Sequence, residues 1–260
     1  MSKTGLSLYF ASNRPGGFGG LDIYASQRAS LDDPWGPPVN LGPPINSAAN
    51  DHCALLLPDG HTLIFVSARP GGFGDNDLYF SRRHDTNDDL GWEEPFNLGT
   101  GVNTVFNDQT PGLFEDESGV VTLYFASNRP GGFGSFDVYA SVLGSDGVFG
   151  PAAQVPELSS PFGDIFPTPR RDGLELFLTS NRPGTAGGND LLVSTRSSTW
   201  EPWSIPVNMG PDINSTVNDA RGAIAFDRTT VIFFSNRAGG FGDNDLYVIT
   251  RDKLTGKPQT

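Results

Sequence analysis

The chain has 260 residues, with 33 Gly and 21 Pro, 37% hydrophobic and 18% charged residues, and a formal net charge of -13. The apolar share suffices for a sizeable core, and so much Gly and Pro without a triplet period excludes both collagen and long helices. The acidic balance opposes nucleic acid and anionic membranes as partners, no apolar run reaches membrane length, and the lone Cys53 excludes an internal disulfide or a Cys-rich metal site.

The N-terminal MSKTGLSLYF enters a strand-like pattern at once, without a basic segment leading into an apolar one. That fits a cytoplasmic protein, or one whose leader lies outside this sequence. From residue 12 onward one phrase recurs. SNRPGGFG at 12–19 returns as SARPGGFG at 67–74, SNRPGGFG at 127–134, SNRPGTAG at 180–187 and SNRAGGFG at 235–242. Its arginines, Arg14, Arg69, Arg129, Arg182 and Arg237, are 55, 60, 53 and 55 residues apart. Eight residues after each stands an aspartate: Asp22, Asp77, Asp137, Asp190 and Asp245. Two residues further come Tyr24, Tyr79, Tyr139 and Tyr247, with Leu192 in the fourth copy. A period this regular marks a repeat architecture.

A second phrase lies between the copies. NLGPPINSAAND at 40–51, NLGTGVNTVFND at 97–108 and NMGPDINSTVND at 208–219 share one frame, each entered from a W-x-x-P stretch at Trp35, Trp92 or Trp203. The segment at 149–164 is divergent and keeps only its final Asp164.

Each unit reads as short strands. In unit two, 53–57 is an apolar strand, Pro58-Asp59-Gly60 a turn, 62–67 a second strand rich in β-branched and aromatic residues, 77–81 a third, and 96–98 a weak fourth. Four antiparallel strands repeated radially make a propeller blade; a solenoid of this period would show helical periodicity, and none is evident. The expected fold is all-β, one domain forming a five-bladed β-propeller, with units at 1–45, 46–102, 103–158, 159–213 and 214–260.

The run ND…LLLPDGHTLIFVSARPGG…DNDLYFS resembles the TolB-like β-propeller repeat, a WD-like repeat with a Pro-Asp-Gly turn and a Ser-x-Arg phrase. All five units match it in their second and third strands. The resemblance implies a bacterial source and an envelope or periplasmic setting. It implies little about activity, because such repeats serve translocation-associated proteins, peptidase propellers, envelope proteins and a few enzymes.

From each strand-three aspartate to the next arginine there are 47, 52, 45 and 47 residues, but only 29 across the chain ends. The blade joining the ends is therefore expected to be short by about one strand with its loop, either the Asn-Asp phrase with its first strand or the last unit's fourth strand.

Strand parity puts the SNRPGG loops on the same face, the top, as the Asn-Asp starts of the innermost strands. Asp51, Asp108, Asp164 and Asp219 then share the rim with the five arginines and the five strand-three aspartates. The expected role of the repeated Arg and Asp is structural, each arginine donating to loop carbonyls and to the Asp eight residues on. A second reading places Ca2+ or another cation on the axis among Asp51, Asp108, Asp164 and Asp219; otherwise no cofactor is expected. Function should lie where the repeat breaks. The residues after those aspartates, His52, Gln109, Ile165 and Ala220, all differ and begin the channel-lining strands. His52 is the only histidine this topology puts on top; between carboxylates it is a candidate acid, base or metal ligand, and the only residue singled out as a catalytic candidate. Alternation then turns Cys53 into the core.

Phe18, Phe73, Phe133 and Phe241 sit in the Gly-Gly-Phe-Gly loops, with Ala186 in the fourth. They are expected to wedge against neighbouring blades; the alternative is an exposed aromatic ring for a sugar or peptide. Trp200 lies outside the Trp pattern, and unit four loses its loop Phe, its Tyr and the Asn-Leu-Gly phrase together. The leading functional reading is a monomeric, non-catalytic module binding a protein, peptide or glycan over the top face. The alternatives are an axial-channel hydrolase or lyase around His52 and the rim aspartates, and a structural repeat section of a larger envelope protein.

Overall fold

The computed structural model describes residues 1–251; the end of the last unit, 252–260, lies outside the described residues. The fold is a five-bladed β-propeller with essentially no helix. Blade one holds β1 (Ser7–Ser12), β2 (Asp22–Gln27) and β3 (Val39–Asn40). Blade two holds β4 (Asp51–Leu56), β5 (Thr62–Ser67), β6 (Asp77–Arg82) and β7 (Phe96–Asn97). Blade three holds β8 (Asp108–Glu115), β9 (Val121–Ser127), β10 (Asp137–Val142) and β11 (Ala153–Gln154). Blade four holds β12 (Asp164–Pro169), β13 (Glu175–Ser180), β14 (Asp190–Thr195) and β15 (Val207–Asn208). Blade five holds β16 (Asp219–Ile224), β17 (Thr230–Ser235) and β18 (Asp245–Thr250). Within each blade, sequence neighbours pair antiparallel.

The second strands are apolar on both faces because each sheet is sandwiched between two others. In β5, Leu63 and Phe65 pack with Tyr9, Ile23 and Ala25 of blade one. Ile64 and Val66 pack with Leu123 and Phe125 of blade three. All four are essentially buried, so the strand shows no period of two. Burying one such Phe contributes about 2–3 kcal/mol. The bottom turns are built as their sequence suggests. Asp59 accepts from the backbone N–H groups of His61 and Thr62 and from the Thr62 hydroxyl, and Gly60 takes a positive φ. In blade five, Arg228 takes that left-handed conformation instead.

The shortening falls at the chain ends as expected: among the described residues blade one has three strands and no first strand. Blade five likewise has three strands among the described residues.

The blades interlock on top. The first four Gly-rich loops each press on the segment that begins the next blade. A Cβ on Gly19, Gly74, Gly134 or Gly187 would lie 1.7–2.0 Å from a carbonyl oxygen of that segment. Only glycine allows this approach. The Asn of the second phrase ties the same segment down. Asn103 Oδ1 accepts from the Leu78 N–H (2.9 Å), its Nδ2 donates to the Leu78 carbonyl (2.9 Å), and Asn46 and Asn214 do the same at Ile23 and Leu191. In the divergent 149–164 segment Ser159 takes over, accepting from the Val138 N–H.

Candidate functional site

The Asn-Asp starts and the Gly-rich loops do share the top face. The arginine partners, however, differ from expectation. Arg69 pairs with Asp51 (3.0 Å), Arg129 with Asp108 (2.6 Å), Arg237 with Asp219 (2.6 Å) and Arg182 with Asp164. The partner is thus the first-strand aspartate upstream, and not the aspartate eight residues on. Each guanidinium also donates to a backbone carbonyl in the segment before that aspartate, such as Val102 or Ile213. Ser47, Thr104, Ser160 and Ser215 donate both backbone N–H and hydroxyl to the second carboxylate oxygen.

The strand-three aspartates have another task. Asp22 accepts from the N–H groups of Phe18 (2.7 Å) and Gly19, and Asp77, Asp190 and Asp245 hold their loops in the same way. Asp137 accepts from Gly134. These carboxylates fix the loop backbone from inside because Gly residues leave its amides accessible.

Asp51, Asp108, Asp164 and Asp219 are fully buried, and their oxygens are taken up by arginine and hydroxyl donors. Among the described residues no three His, Cys, Asp or Glu side chains converge as a metal-ligand group.

One repeated feature of the axis escaped the sequence reading. Two residues after each first-strand aspartate, Cys53, Thr110, Phe166 and Arg221 adopt φ of 54–59°. The ladder shifts register there in all four strands, a β-bulge. The side chains join into a girdle. The Phe166 N–H donates to Thr110 Oγ1 (3.1 Å), and Arg221 reaches across to the Ala54 carbonyl (2.9 Å). The Arg221 guanidinium also lies over the Phe166 ring. Blades two to five are thereby linked around the axis.

The bulge also breaks the expected alternation. Cys53 is buried at the edge of the core, yet its sulfur lies 3.0 Å from His52 Nδ1. Burial alone would raise the thiol's pKa, but His52, Arg221 and the Thr110 N–H outweigh it and hold the thiol low. Burial likewise disfavours the charged imidazole, but the Cys53 contact and Asn76 outweigh it and raise His52. Gln109, Ile165 and Ala220 hold the corresponding ladder positions in the other strands, and bring no further titratable group to the pair. His61 bonds the Arg83 carbonyl, and His84 is exposed beside Glu93.

The loop phenylalanines do not wedge between blades. Phe18, Phe73 and Phe133 are 52%, 46% and 54% exposed, and Phe241 is fully exposed. Val105, Phe106 and Phe162, in the segments against which the Gly74 and Gly134 loops press, are exposed as well. The top rim thus carries a discontinuous apolar crown. Trp92 and Trp203 are buried, edge-on to Tyr9 and Tyr124, while Trp200 is 83% exposed.

No protein-family model matches the chain, and no curated protein sequence matches it. Solved structures do resemble it. TolB from Acinetobacter baumannii has a TM-score of 0.59 at 12% identity, over 98% of this chain and 52% of that one, so this chain spans about half of that protein. An α-L-arabinofuranosidase from Lactobacillus brevis has a TM-score of 0.65 at 14% identity, over 96% and 88%. An endo-arabinase from Bacteroides thetaiotaomicron has 0.61 at 13%, over 98% and 93%. At these identities the likeness is one of fold, a β-propeller.

Proposed function

We propose that the chain is a non-catalytic binding module that docks an apolar polypeptide segment on its top rim. The observation that carries this reading is the exposure of Phe18, Phe73, Phe133 and Phe241 at equivalent loop positions. Each is presented by a loop pinned from within by an aspartate, so the rings stand on a rigid frame at little entropic cost. Exposed aromatic clusters rimmed by polar groups are typical of interaction sites.

A second reading, glycoside hydrolysis, is favoured by the arabinofuranosidases and the arabinase among the fold relatives. That chemistry generally needs two carboxyl groups about 5–9.5 Å apart flanking an open subsite. Here the first-strand aspartates are buried against arginines, and the axial girdle contains no carboxylate. The binding reading therefore has the better geometric support.

A display library of random peptides, selected on the protein and counter-selected on a Phe18/Phe73/Phe133/Phe241→Ser variant, tests the choice. Peptides that bind only the unsubstituted protein support the module. Peptides indifferent to the substitutions, or cleavage of arabinan oligosaccharides abolished by His52→Ala, would overturn it.

A further inference from the structure

The bottom face carries a cleft of about 300 Å³ between blades three and four. Three segments form it: the end of β8 with the turn after it, the turn between β12 and β13, and the loop after β14. The buried Phe114 and the exposed Trp200 both line it. Trp200 has no packing duty in the repeat. Trp203 fills the buried position that Trp92 holds in blade two, edge-on to Tyr124 as Trp92 is to Tyr9. Unit four thus carries a second indole that the core does not use. The frame around it is braced. Asp116 accepts from the N–H groups of Ser118 and Val120 and from the Ser118 hydroxyl. Asp172 accepts from Arg170 and from the Leu174 N–H. Arg196 donates to the Gly173 carbonyl and lies over the rings of Phe114 and Trp203, which joins the loop after β14 to both blades. Both aspartates are therefore engaged. The polar side chains left to the cleft are those of Glu115, Glu117, Arg171, Ser198 and Thr199, which make no hydrogen bond or ion pair among the described residues. The Arg171 guanidinium lies 5.9 Å from the Phe226 ring centroid.

We propose that this cleft binds a neutral hexopyranose unit of a glycan, its C–H face stacked on Trp200 and its hydroxyls bonded to Glu115, Glu117 and Arg171. The free charges select the class. The two glutamates oppose an anionic ligand, and Arg171 opposes a cationic one. Sugar hydroxyls both donate and accept, so neighbouring hydroxyls can satisfy carboxylates and a guanidinium together. Bonds to charged partners are the stronger ones, and they fix the ring's orientation. Covering the exposed indole with the apolar face of a ring supplies the remaining affinity. The volume lies at the small end of ligand pockets, about 300–1,000 Å³, and suits a mono- or disaccharide. The braced turns keep the ordering cost low. None of these residues belongs to the phenylalanine crown on the opposite face, so the two proposals stand or fall separately.

The probes are cellobiose, maltose, mannobiose and galactobiose, titrated into the protein and followed by saturation-transfer NMR. At least one should bind saturably below about 10 mM, with transfer strongest to the C–H protons of one ring face. Trp200→Ala should weaken that binding about tenfold or more, and Glu115→Gln combined with Glu117→Gln about threefold or more. All three side chains are exposed, so the thermal midpoint should stay unchanged in these variants. The Phe18/Phe73/Phe133/Phe241→Ser variant should bind the disaccharide as before. The matching hexasaccharide separates two sources of the unit: tighter binding than the disaccharide supports the interior of a chain, and equal binding supports a chain end. The proposal is overturned by no saturation with any of these sugars up to about 10 mM, by binding that survives Trp200→Ala, or by tighter binding of trilysine or digalacturonate than of the neutral disaccharides, which would make the cleft an ion-pairing site.

Discussion

Arg129 closes on Asp108 at 2.6 Å across 21 residues of chain, and Asp108 has no solvent exposure. The pair ties the loop after β9 to the start of β8, so each complete blade is clasped at the top. Removing the arginine leaves a buried carboxylate uncompensated. Arg129→Ala should therefore cost about 3 kcal/mol in urea unfolding, while Arg14→Ala should stay within about 0.5 kcal/mol. Equal losses from the two variants would show that the repeated arginines do not act through their aspartates.

The glycine interlock makes a similar paired prediction. A methyl group at Gly74 would sit 2.0 Å from the Phe106 carbonyl oxygen, and one at Gly242 would meet nothing. Gly74→Ala should lower stability by about 2 kcal/mol or more, because backbone on both sides must yield, whereas Gly242→Ala should be close to neutral. Differential scanning calorimetry distinguishes them, and comparable midpoints would contradict the interlock.

Acid stability follows from the clasps. Burial alone would raise the Asp219 carboxyl, but donors from Ser235, Arg237 and Ser215 outweigh it and hold its pKa below the usual range. A depressed folded-state pKa contributes stability that is present above the unfolded value of about 3.9 and is lost as pH falls through the folded value. Asp77 works in the opposite direction, raised by burial more than its backbone and Asn97 donors lower it. Asp172 and Asp227 follow Asp219. The urea midpoint should drop as pH falls below about 4, and Asp219→Asn should be less stable at pH 7 with a flatter decline. An unchanged decline in that variant would rule out this contribution.

The Cys53–His52 contact predicts an early-titrating thiol. Thiolate absorbance near 240 nm should appear below the ordinary thiol range of about 8.5. His52→Ala should move it upward, and burial should keep the sulfur slow toward a bulky disulfide reagent until the protein unfolds. A titration indifferent to His52 would remove the pair from consideration.

The blade count and most strands were legible because one phrase repeats and because the second strands are apolar on both faces. The partner of Arg69 was not. Both Asp51 and Asp77 recur at nearly fixed spacing from it, and only the loop geometry shows that Asp77 faces the amides of Phe73 and Gly74. The bulge at Cys53, Thr110, Phe166 and Arg221 was hidden as well, since four unlike residues share one left-handed backbone position. The exposure of Phe73 could not be read because a Gly-rich loop has no period to orient it. The distribution of strands between blades one and five depended on where the ring is cut, which the spacing of repeats leaves open.

The most direct measurement for the proposed function is hydrogen exchange on the protein with and without a crown-selected peptide. Slowed exchange confined to the loops around Phe18, Phe73, Phe133 and Phe241, and absent in the Phe→Ser variant, is the predicted result. Slowing centred on the axial girdle around His52 and Arg221, with the four loops unchanged, would contradict it.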